Sequence, residues 1–193
     1  MIRLAIFASG NGTNAQNISE YFSKHEGIVV SLIVSNNPRA FVLQRAAMLG
    51  IKTHVFNRTS FYQTEELIDD LKSYEIDFII LAGFMWLVPD YLVKAFDQRI
   101  VNIHPALLPK FGGKGMYGAF VHKAVKIAGE TKTGITIHWV NDKYDEGDII
   151  FQADCPIEPN DTVEKIAEKV QQLEYKHYPL VIESVLKKSY KNH

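Results

Sequence analysis

Three short segments carry side chains whose types and spacing could do chemistry. The first is Val101-Asn102-Ile103-His104-Pro105. In an extended chain, residues i and i+2 point to the same side, so Asn102 and His104 are expected to project together. An amide N–H can donate to a developing oxyanion, and an imidazole exchanges a proton near neutral pH. Pro105 and Pro109 stiffen the exit from this pair, which favours an oriented site over a mobile one.

The second segment, Ser9-Gly10-Asn11-Gly12-Thr13-Asn14, reads as a turn from a strand into a helix. Glycine lets backbone N–H groups approach an anion, and the following helix end adds orphan donors and a positive dipole end. The loop lacks the third glycine of the dinucleotide fingerprint and the lysine of a P-loop. It is therefore either a phosphate cradle of another kind or a tight turn whose polar residues only cap a helix. Its expected place at the carboxyl end of a strand suits a ligand site.

The third segment, Asn141 to Ile150, holds four acids between two strand-like runs. Its spacing lacks the full calcium-loop signature. A carboxylate here could orient His104 and stabilise its protonated form, but local pattern leaves Asp142, Asp145 and Asp148 all open.

The elements that must position these groups alternate along the chain. Strands are expected at 4–7, 28–34, 53–56, 77–82 and 99–103, with helices from about Asn14 to before Gly27, over 40–49, 60–74, and from Pro89 to Phe96. The nearly unbroken apolar run Asp77-Phe78-Ile79-Ile80-Leu81-Ala82 fits a central parallel strand covered on both faces. After a Pro- and Gly-rich loop over 104–118, a helix is expected at 119–128 and paired strands at 133–140 and 149–153. A closing helix over 162–188 is expected to be interrupted at Pro179. Alternation in the 133–140 strand puts His138 on the face of Thr136, where it could line a site or simply be a hydrogen-bonded strand histidine. The pattern predicts an α/β fold: a doubly wound, mostly parallel sheet of about seven strands with helices on both faces.

Composition narrows the function. The 193 residues suffice for one well-filled core, and one domain over 1–193 is expected. A net charge of −1 argues against a nucleic-acid binder, so any phosphate must be held by local geometry. With one cysteine, Cys155, neither an internal disulfide nor a cysteine zinc cluster can form, which suits a reducing cytoplasm. The N-terminal apolar run is too short for a signal peptide, and no run approaches the roughly 20 residues needed to span a bilayer.

Taken together, three segments resemble the glycinamide ribonucleotide transformylase family: Ser9–Asn14, then Asn102-Ile103-His104-Pro105-Ala106-Leu107-Leu108-Pro109-Lys110-Phe111, then Asp145-Glu146-Gly147-Asp148-Ile149. Leu81-Ala82-Gly83-Phe84-Met85, Gln172–Tyr175 and Tyr178-Pro179 extend the resemblance over essentially the whole chain, in order. It implies a formyltransferase-like fold with a phosphate-binding half (1–103) and a folate and catalytic half (104–193). It further implies formyl transfer from 10-formyltetrahydrofolate to glycinamide ribonucleotide, in purine synthesis; a monomer or homodimer is expected, and no metal is required, because pairing with His104 explains the acid loop. The family pattern places catalysis at Asn102, His104 and Asp145. It places the ribonucleotide at Gly12, Thr13, Asn14 and Glu174, and folate at Met85, Trp86, Leu87, Val88, Asn141 and Asp142. Two departures stand out: Trp86 replaces a frequent arginine, and Gly112–Gly118 is glycine-richer than the family's usual loop and lacks its histidine. A methionyl-tRNA formyltransferase would be expected to add an RNA-binding domain, and a formyltetrahydrofolate hydrolase an N-terminal regulatory one. A non-catalytic nucleotide-binding domain would bind the ribonucleotide without transfer.

Overall fold

The computed structural model describes residues 1–191. Seven strands run in the order β3-β2-β1-β4-β5-β6-β7. They are β1 (Ile2–Phe7), β2 (Ile28–Ser35), β3 (Lys52–Val55), β4 (Phe78–Leu81), β5 (Ile100–His104), β6 (Lys132–Trp139) and β7 (Ile149–Pro156). The chain divides into two compact units, and the division falls within β5.

The first unit comprises residues 1–102 and 140–142. Here β1 lies between β2 and β4, all parallel, with β3 beyond β2 and β5 beyond β4. The strand order therefore reverses between β1 and β4, the point at which doubly wound sheets open a crevice beyond their carboxyl ends. Every residue of β4 is buried, as its unbroken apolar run requires. Each such side chain contributes about 1.5–3 kcal/mol on leaving water. Five helices belong to this unit: α1 (Thr13–Phe22), α2 (Phe41–Met48), α3 (Arg58–Gln63), α4 (Glu66–Ser73) and α5 (Asp90–Ala95).

The single helix expected over 60–74 is two helices, α3 and α4. Thr64 between them is extended, and its hydroxyl bonds back to the Ser60 carbonyl. A reciprocal capping box between Asn57 and Ser60 starts α3 upstream of the expected position. Local side-chain bonds of this kind compete with helix propagation.

The second unit comprises residues 103–139 and those from 143 onward. β6 and β7 pair antiparallel, and α6 (Ala119–Ile127) and α7 (Val163–Lys191) complete it. α7 runs on through Pro179, where an interruption is expected from sequence. Proline removes one backbone donor and crowds the preceding turn. Burial of Val170 and Tyr178 before or beside it, and of Ile182 and Leu186 after it, fixes both segments of the helix in the core. No helix among the described residues is long and apolar enough to cross a membrane.

Candidate active site

In the first unit, β1 ends in the Ser9–Asn14 loop. Gly12 occupies the N-cap of α1 with φ 75° and ψ 26°, a left-handed conformation that glycine adopts without strain. A side chain there would also run into Val42. The Gly10 carbonyl accepts from the Val42 amide at 3.1 Å, so the first turn of α2 backs the loop. Ser9 ties the loop to the end of β4: its amide donates to the Gly83 carbonyl (3.1 Å) and its hydroxyl accepts from the Met85 amide (3.0 Å). Thr13 and Asn14 form the first turn of α1.

Met85, Trp86, Leu87, Val88, Asn141 and Asp142 all belong to this same unit. Met85 is exposed and Val88 buried. The Tyr62 hydroxyl donates to the Leu87 carbonyl at 3.0 Å. Trp86 packs into an aromatic cluster, with ring centroids 5.9 Å from Phe56, 5.6 Å from Phe61 and 5.9 Å from Tyr62. The Arg58 guanidinium lies over both the Tyr62 and Trp86 rings. The position at which the family often carries a cation is therefore occupied here by an indole under an arginine. Asn102, half-buried on β5, pairs in register with Leu81.

The second unit holds the imidazoles and the acid. His104, at the end of β5, is 3% exposed. Its Nδ1 lies 3.4 Å from Asp145 Oδ2, and its Nε2 lies 2.8 Å from the Phe111 carbonyl oxygen. Of the three acids left open by spacing, Asp145 is the one that reaches His104. Asp142 and Asp148 are exposed, and the Asp148 carbonyl accepts from the Trp139 amide just before β7.

His138, left open by the sequence, joins the pair: its Nε2 stands 3.6 Å from Asp145 Oδ1, and its Nδ1 is 2.7 Å from the Trp139 carbonyl. A register shift between Ile137 and His138 in the β6–β7 ladder accompanies this placement, and such bulges re-aim a side chain. The Asp145 carboxylate thus lies between two imidazoles. It also accepts from the Gly113 amide at 2.9 Å.

Two non-glycine residues here, Phe111 (φ 57°) and Asp145 (φ 56°), are left-handed. Such backbone costs about 1–3 kcal/mol per residue and persists only where its surroundings enforce it. The enforcing contacts are visible. An alanine Cβ at Gly112 would lie 2.5 Å from Leu108 Cδ2 and 3.3 Å from Asp145 Cβ. The loop 111–113 is therefore pressed against the acid, with the Phe111 carbonyl on His104 and the Gly113 amide on Asp145. Leu108, Pro109, Gly112, Gly113 and Tyr144 line a cavity of about 470 Å³ with Asp145 in its wall.

Electrostatics follow from these contacts. Burial pushes the His104 pKa below the ordinary 6.5, outweighing the upward pull of Asp145 and the Phe111 carbonyl. Burial would raise Asp145, but the neighbouring His138 and His104 imidazoles and the Gly113 amide together hold its carboxyl below the ordinary range. Both His104 nitrogens face acceptors, whereas a neutral ring has one N–H. The 2.8 Å contact marks Nε2 as the carrier of that proton. The 3.4 Å separation at Nδ1 is too long for a charge-assisted bond, which agrees with a neutral ring in the free protein.

Two further residues position the loop after His104, and their signal in sequence is slight. Thr136 Oγ1 donates to the Ala106 carbonyl (2.7 Å) and accepts from the Leu108 amide (2.9 Å). Its register partner Gln152 donates to both Thr136 Oγ1 and the Leu108 carbonyl. Their sequence signal is no more than one polar residue each, on two neighbouring strands. Glu174 is half-buried on α7, one turn before the fully buried Tyr178, whose pKa burial and the Glu174 charge raise. Among the described residues no group of three or more His, Cys, Asp or Glu side chains has a metal-binding arrangement.

Comparison with known proteins extends this picture over the whole chain. The formyl transferase family model matches residues 2–182. The chain is 42% identical over 191 residues to the chloroplastic phosphoribosylglycinamide formyltransferase of Arabidopsis thaliana, covering 95% of this chain and 65%, just under two thirds, of that relative. It is 37% identical to the phosphoribosylglycinamide formyltransferase of Bacillus subtilis, covering 96% of this chain and 95% of the relative. The crystal structure of glycinamide ribonucleotide transformylase 1 from Geobacillus kaustophilus superimposes with a TM-score of 0.87 at 38% identity, over 96% of this chain and 99% of that one. With a matching model over nearly its full length and relatives of this identity, the chain belongs to the formyl transferase family, in its phosphoribosylglycinamide formyltransferase branch.

Proposed function

We propose that the chain is an enzyme that transfers the formyl group of 10-formyltetrahydrofolate to the amine of glycinamide ribonucleotide, giving formylglycinamide ribonucleotide and tetrahydrofolate in purine synthesis. The observation that carries this reading is the buried His104–Asp145–His138 array at the end of β5, two residues after Asn102.

The amine nitrogen attacks the formyl carbon, and the carbonyl oxygen takes negative charge as the carbon becomes tetrahedral. Asn102 donates a hydrogen bond to that oxygen. The free ring of His104 is neutral, so negative charge arriving beside it raises its proton affinity. It then accepts the proton lost by the amine, directly or through water, and Asp145 stabilises the imidazolium. The bond from the formyl carbon to the folate nitrogen breaks as that nitrogen takes the proton. The new carbon–nitrogen bond remains on the ribonucleotide.

Gly12, Thr13 and Asn14 hold the ribonucleotide phosphate, with Glu174 toward the ribose and glycinamide. Folate lies against Met85, Trp86, Leu87 and Val88 and against Asn141 and Asp142. Trp86, packed in its cluster, offers an aromatic face in place of a cation. No metal is required, because pairing with His104 accounts for the acid of this loop. The setting is cytoplasmic, which the single cysteine suits, and the unit of function is a monomer or homodimer.

The test is an assay with both substrates. Formylglycinamide ribonucleotide and tetrahydrofolate should appear in equal amounts. Binding of the ribonucleotide without any transfer at saturating folate would leave only a nucleotide-binding domain.

A further inference from the structure

The Ser9–Asn14 loop and the helix it opens contain no lysine or arginine: none occurs between Arg3 and Lys24. A phosphate held there would meet only neutral donors, in a chain of net charge −1. One cation is nevertheless built against the loop from far along the sequence. Arg45, half-buried on α2, donates through Nε to the Asn11 carbonyl (2.8 Å) and through Nη2 to Asn11 Oδ1 (2.7 Å). Its Nη1 donates to Gln16 Oε1. The guanidinium sits over the Phe41 ring, 4.9 Å from its centroid, which fixes its plane from the other side.

These contacts span the turn. Asn11 lies before Gly12, and Gln16 lies one helical turn after it; one rigid planar group bridges the two. With Val42 filling the space beside Gly12, α2 clamps the loop from residue 10 to residue 16. We infer that Arg45 is a positioning residue for the ribonucleotide phosphate. It holds the Gly12–Asn14 donors in a fixed curve and supplies the positive charge that the loop lacks. Lysine would keep the charge and lose the fork.

The inference rests on the formyl-transfer reading above, and the test separates the two. Arg45→Met is expected to raise KM for glycinamide ribonucleotide at least tenfold while kcat and KM for 10-formyltetrahydrofolate stay within twofold. The affinity of the folate-free protein for ribose 5-phosphate, measured by calorimetry, should fall by a similar factor. Arg45→Lys should recover part of the loss but remain at least threefold weaker than the parent chain. Gln16→Ala, which removes one end of the bridge, should weaken binding about threefold, and it serves if Arg45→Met does not fold. Unchanged ribonucleotide KM and ribose 5-phosphate affinity in Arg45→Met, or in Gln16→Ala should that variant alone fold, would overturn the inference. So would complete recovery in Arg45→Lys, or a fall in kcat without a change in KM. A parent chain that binds ribose 5-phosphate but transfers no formyl group overturns the reading instead, and the affinity series alone then decides on Arg45.

Discussion

Substituting Gly112 by alanine probes whether the glycine-rich loop is part of the catalytic array. The added Cβ would stand 2.5 Å from Leu108 Cδ2 and 3.3 Å from Asp145 Cβ. Ordinary carbon contacts lie near 3.5–4.0 Å, so about 1 Å must be recovered. Leu108 is 7% exposed and has little room to retreat, so the loop backbone takes a share. A backbone shift of roughly 0.5–1 Å carries the Gly113 amide from 2.9 Å to about 3.4–3.9 Å from Asp145 Oδ2, at or past the limit of a hydrogen bond. Losing a hydrogen bond to a charged group costs about 1.5–3 kcal/mol, or roughly 10–150-fold. Gly112→Ala should therefore lower kcat by about that factor, with both KM values within threefold and the far-ultraviolet circular dichroism unchanged. Initial rates of tetrahydrofolate release at saturating substrates measure it. Because the tightest contact is with the tip of Leu108, adding Leu108→Val should restore part of kcat, a coupling that a double-mutant cycle isolates. A single variant within threefold of the parent, or a double variant no faster than the single one, would refute the reasoning.

Other perturbations reach the same array from different sides. Asn102→Ala and Asp145→Ala should each lower turnover by at least about 10²-fold while folding normally; near-parental rates in either would remove that residue from the mechanism. His138→Phe removes the imidazole that stands 3.6 Å from Asp145 Oδ1, so the Asp145 carboxyl pKa should rise, read by carboxylate NMR titration, and kcat should fall about tenfold or more. Burial lowers the pKa of both His104 and His122, so each binds fewer protons folded than unfolded. Stability should accordingly fall as pH drops below about 6.5, with each histidine adding at most about 1.4 kcal/mol per pH unit. The slope measured by urea unfolding between pH 7 and 5.5 should be smaller in His122→Leu, and an unchanged slope would exclude His122 as a contributor. Exhaustive chelation should leave turnover unchanged, and activity restored by added metal would contradict the proposed chemistry.

The sheet was largely legible in the sequence because its signals are local. The apolar run of β4, the glycine break after Phe7 and the Asn102–His104 spacing each depend on a few adjacent residues. What the sequence hid depends on contacts made across the chain. Spacing could not choose Asp145 over Asp142 and Asp148, because a left-handed aspartate carries no periodic signal and its selection is made by Gly113 and two imidazoles. The role of His138 turns on a one-residue register shift that alternation cannot reveal. Thr64 ends a helix that hydrophobic periodicity would continue, and Pro179 fails to end one because buried side chains hold both flanks. Arg45 reads as an ordinary helix-face arginine until α2 is seen to lie against the Ser9–Asn14 loop.

The depth at which His104 is buried fits the proposed chemistry better than an exposed histidine would. At the surface, water would stabilise an imidazolium before and after the reaction almost equally, and it would gain little as charge develops. Burial makes the resting ring neutral, with its Nε2 proton held by the Phe111 carbonyl. The anionic Asp145 stands slightly out of contact at 3.4 Å. Protonation at Nδ1 would draw the two together into a charge-assisted bond of 2.7–2.9 Å, a gain available only once the ring becomes cationic. An interaction that strengthens only as the proton moves lowers the barrier, whereas one already present in the resting state would not. The backbone strain at Phe111 and Asp145 has its physical account here: it keeps the carbonyl and the carboxylate poised on opposite nitrogens of one buried ring.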